Sequence, residues 1–109
     1  MAKNEMLPGT LGMLILRVLQ PGPIHGYAIA QRIHTLSKEL LQVEEGSLYP
    51  ALYRLERRGW LKAEWKTTAG GREAKFYSVT RQGRRQLESE TAGWNRLCQA
   101  ISLVLETTE

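Results

Sequence analysis

The sequence predicts a mainly α fold with a small β-hairpin (α+β), and three observations carry that prediction. Apolar residues recur at helical spacing in three stretches before Gly59, separated by proline, glycine or acidic residues. After Gly59 the period drops to two, and paired glycines lie between two such runs. From Thr80 onward the spacing is helical again and carries a heptad-like seam.

The first helix runs from Leu7 to Leu19, with Leu11, Leu14, Ile15 and Val18 on one face and Pro8, Gly9 and Thr10 as its start signal. Gln20-Pro21-Gly22-Pro23 stops it, because neither proline can continue a helix. Ile24-His25-Gly26-Tyr27 leads into a second helix that ends near Ser37. Its buried stripe is Ile29, Ile33 and Leu36, while Gln31, Arg32, His34 and Thr35 point outward. Leu40 to Val43 is a short apolar link with the composition of a small strand, and Glu44-Glu45-Gly46 turns into the third helix.

That third helix is marked at both ends. Ser47 or Gly46 caps its start, since a side-chain oxygen there accepts from an orphan amide of the first turn. Pro50 then falls inside the first turn, where its missing N–H costs little, and Gly59 ends the helix in a left-handed conformation. Leu48, Leu52 and Leu55 face the core, and Tyr49, Tyr53, Arg54, Arg57 and Arg58 face out. In the hairpin, Leu61, Ala63 and Trp65 point inward and alternate with Lys62, Glu64 and Lys66. The loop from Thr67 to Glu73 turns on Gly70 and Gly71, and Lys75 to Thr80 returns with Tyr77 and Val79 on one side.

Thr80 caps a final helix reaching about Leu105. Leu87, Trp94 and Ile101 fall seven apart, with Thr91, Leu97, Cys98, Val104 and Leu105 between and beyond them. This stripe exceeds what one small core absorbs, so a second copy of the chain is its simplest cover. Residues 1–80 are therefore expected to form a winged helix-turn-helix unit and residues 81–109 a dimerisation helix. Leu87, Trp94, Leu97, Cys98, Ile101 and Leu105 form the expected dimer interface.

Charge is segregated along the chain. The net formal charge is +4. Residues 1–53 balance, residues 54–85 carry ten basic against three acidic side chains, and the remainder is acidic. A positive block that begins in the third helix and continues through the hairpin favours a polyanionic partner. No apolar run approaches the ~18 residues needed to cross a bilayer, and a signal-peptide pattern is missing. The single cysteine, Cys98, forms no internal disulfide, so the cytoplasm is the expected location. No metal-ligand spacing, nucleophile–base pair or glycine-rich phosphate loop stands out, so neither catalysis, metal nor cofactor is expected.

The run Gly46-Ser47-Leu48-Tyr49-Pro50-Ala51-Leu52-Tyr53-Arg54-Leu55-Glu56-Arg57-Arg58-Gly59 resembles the signature of the PadR family of transcriptional regulators. His25-Gly26-Tyr27 and the run from Gly71 to Gly83 resemble it in the expected order, and the length is similar to that of the short subfamily with one C-terminal helix. The resemblance implies a homodimer that binds near-palindromic double-stranded operator DNA, usually as a repressor, and is released by a small molecule or stress signal. Some short members hold flat aromatic or cationic compounds between tryptophans at the dimer centre. Trp94 sits at about the matching place, either as a plain dimer anchor or as the wall of a site for a planar aromatic effector.

Ser47, Tyr49, Tyr53 and Arg54 are the expected groove-facing residues, with Arg54 on guanine or on phosphate. Tyr49 has an alternative use, packing on the second helix with its hydroxyl at the surface. Arg57 and Arg58 suit the helix C-terminus electrostatically whatever the partner. Lys66, Arg72 and Lys75 are the wing's candidates for phosphate or minor groove. Thr10 and Tyr27, near helix starts, are candidates for phosphate. His25 suits a structural hydrogen bond, and Cys98 is either a small apolar filler or a redox thiol. The competing function is a winged-helix protein-interaction module with an acidic partner, or a regulator with no effector.

Overall fold

The computed structural model describes residues 9–108. Its elements are α1 (Thr10–Val18), β1 (Ile24–His25), α2 (Gly26–Leu36), α3 (Glu45–Arg57), β2 (Leu61–Thr67), β3 (Glu73–Val79) and α4 (Arg81–Leu105). Four helices and the β2–β3 hairpin make the winged-helix arrangement that the periodicity predicts, and β1 extends the hairpin to a three-stranded antiparallel sheet in strand order β1-β3-β2. Leu7 and Pro8, part of the expected start of the first helix, lie outside the described residues.

One apolar core holds the elements together. Ile15, Leu16 and Leu19 from the α1 end, Ile29 and Ile33 from α2, and Leu48, Ala51, Leu52 and Leu55 from α3 meet Leu61, Tyr77, Val79 and Leu87. Leu16 is fully buried although it lies off the expected stripe, because α1 is covered by several elements rather than one. Leu36 corrects the α2 stripe. It lies 67% exposed at the last residue of the helix, past the reach of the core.

The α2–α3 connection is not a strand. Lys38 and Glu39 both take positive φ, 55° and 66°, and turn the chain back on itself. His34 Nδ1 lies 3.0 Å from the Leu41 carbonyl, and the Ser37 hydroxyl donates to the His34 carbonyl while accepting from Leu41 N–H. These bonds satisfy backbone groups that a strand would have paired in a ladder. His34, expected to point outward, is therefore half-buried and structural.

The start of α3 also differs. The helix begins two residues before Ser47, with Glu44 in extended conformation at its cap position and no side-chain cap bond. Pro50 thus sits in the second turn, where its missing N–H leaves the Gly46 carbonyl without its helical donor on an exposed face. The other end follows expectation. Gly59 has φ +79°, its N–H donates to the Glu56 carbonyl, and Trp60 N–H donates to Leu55, the paired bonds of a Schellman cap.

Thr80 ties this cap to the rest of the molecule. Its hydroxyl donates to the Gly59 carbonyl at 2.6 Å and accepts from Gly83 N–H at 3.1 Å, capping α4, while its own N–H donates to the Trp60 carbonyl. The end of α3, the root of the hairpin and the start of α4 are locked at one point. Beyond Leu87, α4 buries little: Trp94, Leu97, Ile101, Leu103, Val104 and Leu105 are between 37% and 78% exposed. Leu87, expected on the dimer seam, instead belongs to the protomer's own core.

Candidate nucleic-acid interface

The outward side of α3 is built from two rows. Ser47, Pro50 and Arg54 follow one another at three- and four-residue steps, and Tyr49, Tyr53 and Arg57 at four-residue steps, opposite the buried leucines. Tyr53 is 60% exposed, and Arg57 lies over its ring and donates to its hydroxyl at 3.2 Å. Arg54 and Ser47 are exposed, and Arg54 makes no ion pair among the described residues. An exposed guanidinium and a hydroxyl two turns before it, on a helix narrow enough for the major groove, can meet base edges or phosphate.

Tyr49 takes the alternative anticipated for it. Its ring lies against Gly26, where an added Cβ would come within 2.9 Å of Cε1, and the residue stays 44% exposed. The glycine at the start of α2 is what allows α3 to approach so closely. Tyr27, the next residue, is 57% exposed. His25 caps α2, its Nδ1 accepting from Ala28 N–H at 3.4 Å, and its ring meets Phe76 edge-on.

The hairpin has two chemically distinct faces. Its β2–β3 register pairs Leu61 with Val79, Ala63 with Tyr77 and Trp65 with Lys75 on the face toward α3. On that face Lys75 Nζ reaches Glu56 Oε1 of α3 at 3.4 Å and lies over the Tyr77 ring. Burial raises the Tyr77 phenol above its ordinary value, and the Lys75 ammonium partly counters this, so the hydroxyl stays neutral. On the opposite face Lys66 lies 3.6 Å from Glu64 and over Phe76. At the tip, Gly71 has φ +82° and Arg72 is exposed.

Not every candidate converges here. Ser47, Tyr53 and Arg54 share the outer face of α3, Arg72 stands at the wing tip, and Lys75 is tied back to α3. Thr10 lies elsewhere, in a shallow cleft of about 210 Å³ with Met13, Glu90, Gly93, Trp94 and Leu97. Trp65, expected inside, is 65% exposed because the hairpin extends past the core at that point. Sequence reasoning missed β1, whose two residues pair with Phe76 and Tyr77 far along the chain, and the Glu56–Lys75 tie. Among the described residues no group of three His, Cys, Asp or Glu is placed to hold a metal ion.

The model of the PadR-like family of transcriptional regulators matches residues 15–89, from the core of α1 through the buried start of α4. The chain belongs to that family. A transcriptional regulator of Mycobacterium tuberculosis is 31% identical over 98 residues, covering 90% of this chain and 88% of that protein. Among solved structures, a PadR family regulator from Eggerthella lenta is 36% identical and superposes with a TM-score of 0.78, covering 92% of this chain and 85% of that one. A PadR-like regulator from Bacillus cereus superposes at 0.80 with 26% identity, covering 95% of this chain and 99% of that one. The protein is thus a PadR-like transcriptional regulator, not an enzyme, and DNA is the partner this family membership implies. No helix among the described residues is long and apolar enough to cross a membrane.

Proposed function

We propose that the protein is a cytoplasmic homodimeric repressor that reads a near-palindromic duplex operator with α3 and braces it with the wing. The observation that carries this reading is the outer face of α3, where Ser47, Tyr53 and Arg54, which makes no ion pair among the described residues, stand exposed opposite buried leucines, together with an exposed Arg72 at the wing tip. Each lysine or arginine that neutralises a phosphate releases counterions, so affinity falls with the logarithm of salt. Arg54→Ala is expected to weaken operator binding by roughly 1–3 kcal/mol if the guanidinium is bidentate to guanine. If it grips phosphate, the salt slope drops by about one and discrimination is kept. Fluorescence anisotropy on the upstream duplex and a scrambled duplex, across a salt series, reads both. Equal, weak binding to the two duplexes would remove the specific-regulator reading.

Two further parts belong to this proposal. The apolar stripe of α4, Trp94, Leu97, Cys98, Ile101 and Leu105, is covered by the same stripe of a second copy. The Trp94 cleft then receives a planar aromatic effector that releases the operator. Support comes from Glu90, one turn before Trp94, whose Oε2 is buried and hydrogen-bonds to nothing among the described residues, a match for a cationic ring. Titration with planar cationic dyes is expected to quench tryptophan emission and to lose that response in Trp94→Ala. Equal quenching in the variant would sink the effector site.

A further inference from the structure

Trp65 presents a large apolar ring to water on the side of the hairpin that looks toward α3. The ladder places it directly: Leu61 is 2% exposed, Ala63 half-buried and Trp65 65% exposed, successive members of one face. The same face carries Lys75, whose cross-strand partner is Trp65 and whose ammonium reaches Glu56 on α3. The indole therefore stands at the register where the long Lys75 side chain still reaches α3 but the ring itself stays uncovered. Strand propensity accounts for an aromatic residue in β2 but not for leaving it uncovered. Of the nearby charges, Lys75 lies across the ladder and is held by Glu56, Glu64 and Lys66 flank Trp65 in the chain on the opposite face, and Arg72 is exposed at the tip.

We infer that Trp65 is the wing's apolar contact to duplex DNA, its indole packed against the sugar walls and base edges of the groove beside the one α3 enters. Deoxyribose presents C–H faces to a flat ring, and the indole N–H is a donor for the acceptors that line the minor groove. Arg72, exposed at the tip of the same hairpin, supplies positive charge for a phosphate, while Lys75 is held by Glu56 and Lys66 lies beside Glu64 on the opposite face. Apolar wedges of this kind act at base steps that unstack easily, giving a preference for flexible pyrimidine–purine steps where the wing lands. The inference rests on the reading that the α3–wing side binds duplex DNA.

The test uses the full chain and the duplex of its own upstream region. Trp65→Ala is expected to weaken binding roughly tenfold, within the range seen for stacked aromatic residues. Because an indole displaces no counterion, the salt slope should stay at the wild-type value, unlike that of Arg72→Ala. Trp65→Phe should recover most of the affinity. It should also remove the part of the DNA-induced quenching that comes from Trp65, leaving Trp60 and Trp94 to report the rest. Unchanged affinity in Trp65→Ala while the wild type binds, or quenching that persists fully in Trp65→Phe, overturns the contact and leaves the DNA-binding reading standing. A lower melting temperature in Trp65→Ala with no recovery by phenylalanine assigns the residue to hairpin packing and overturns it too. A wild-type chain that binds no duplex at any salt removes both readings together.

Discussion

Gly83→Ala is expected to destabilise the fold by roughly 3 kcal/mol, the upper part of the range for overpacking a core. On helix propensity alone the sign would be opposite, because alanine outranks glycine by about 1 kcal/mol in a helix. Gly83 is the third residue of α4, and it is buried. A Cβ built there overlaps the Trp60 carbonyl oxygen, lies 3.0 Å from the Trp60 carbonyl carbon and 2.7 Å from Val79 Cγ2. Two of these neighbours are backbone, so no rotamer change relieves them. The same carbonyl accepts from Thr80 N–H, and the Gly83 N–H donates to the Thr80 hydroxyl. Moving either strand of contact opens the point where α3, the hairpin and α4 are joined. Thermal and urea melts without DNA would show the loss. Gly46→Ala is the control, since its Cβ meets nothing within 4 Å and alanine there should be neutral or stabilising. Equal stability of Gly83→Ala and the wild type would mean that the joint yields more easily than its backbone contacts imply.

That joint also shows which features are legible in one sequence. Gly59 and Thr80 could be read because each acts within its own neighbourhood: one residue ends a helix and the other starts one. The buried leucines of α3 were legible for the same reason, through spacing alone. Periodicity names a face, though, and does not say how far the core reaches along it. Leu36 and Trp65 both continue a correct stripe past its cover, one at the last residue of α2 and the other within β2. Leu87 shows the converse, a seam position absorbed by the protomer's own core. Long-range pairing was hidden as well. Two-residue β1 has no pattern of its own and exists through its ladder to β3, about fifty residues later in the chain. Lys38 and Glu39 adopt positive φ without the glycine that would have announced it. Within the candidate interface, residue type marked Ser47, Tyr53, Arg54 and Arg72, while the removal of Thr10 to the Trp94 cleft and the tie of Lys75 to Glu56 required the tertiary structure.

Ile101→Glu is expected to split the proposed dimer and, through that alone, to lower operator affinity by about two to four orders of magnitude. Ile101 is 47% exposed on a part of α4 where the protomer core no longer reaches, seven residues after Trp94 and four after Leu97. In an isologous pair each copy brings the same surface, so one substitution removes two isoleucines and buries two like charges near the symmetry axis. Losing each buried side chain costs about 1.5–3 kcal/mol, and an unpaired buried carboxylate adds several more. Ile101 is not part of the protomer core, so circular dichroism and the melting of that core should stay close to wild type. Sedimentation at micromolar concentration should fall to the 12.4 kDa of one chain. The loss on DNA follows from geometry, since a dimer binds its second half-site at a high effective concentration and a monomer must find each from solution. Affinity for a single half-site should be the same for both proteins, whereas Arg54→Ala should weaken half-site and full operator alike and leave sedimentation unchanged. A variant that sediments as the wild type does would place the self-association surface elsewhere. A monomeric variant that still binds the full operator tightly would separate dimerisation from recognition and leave the exposed stripe of α4 to a different partner.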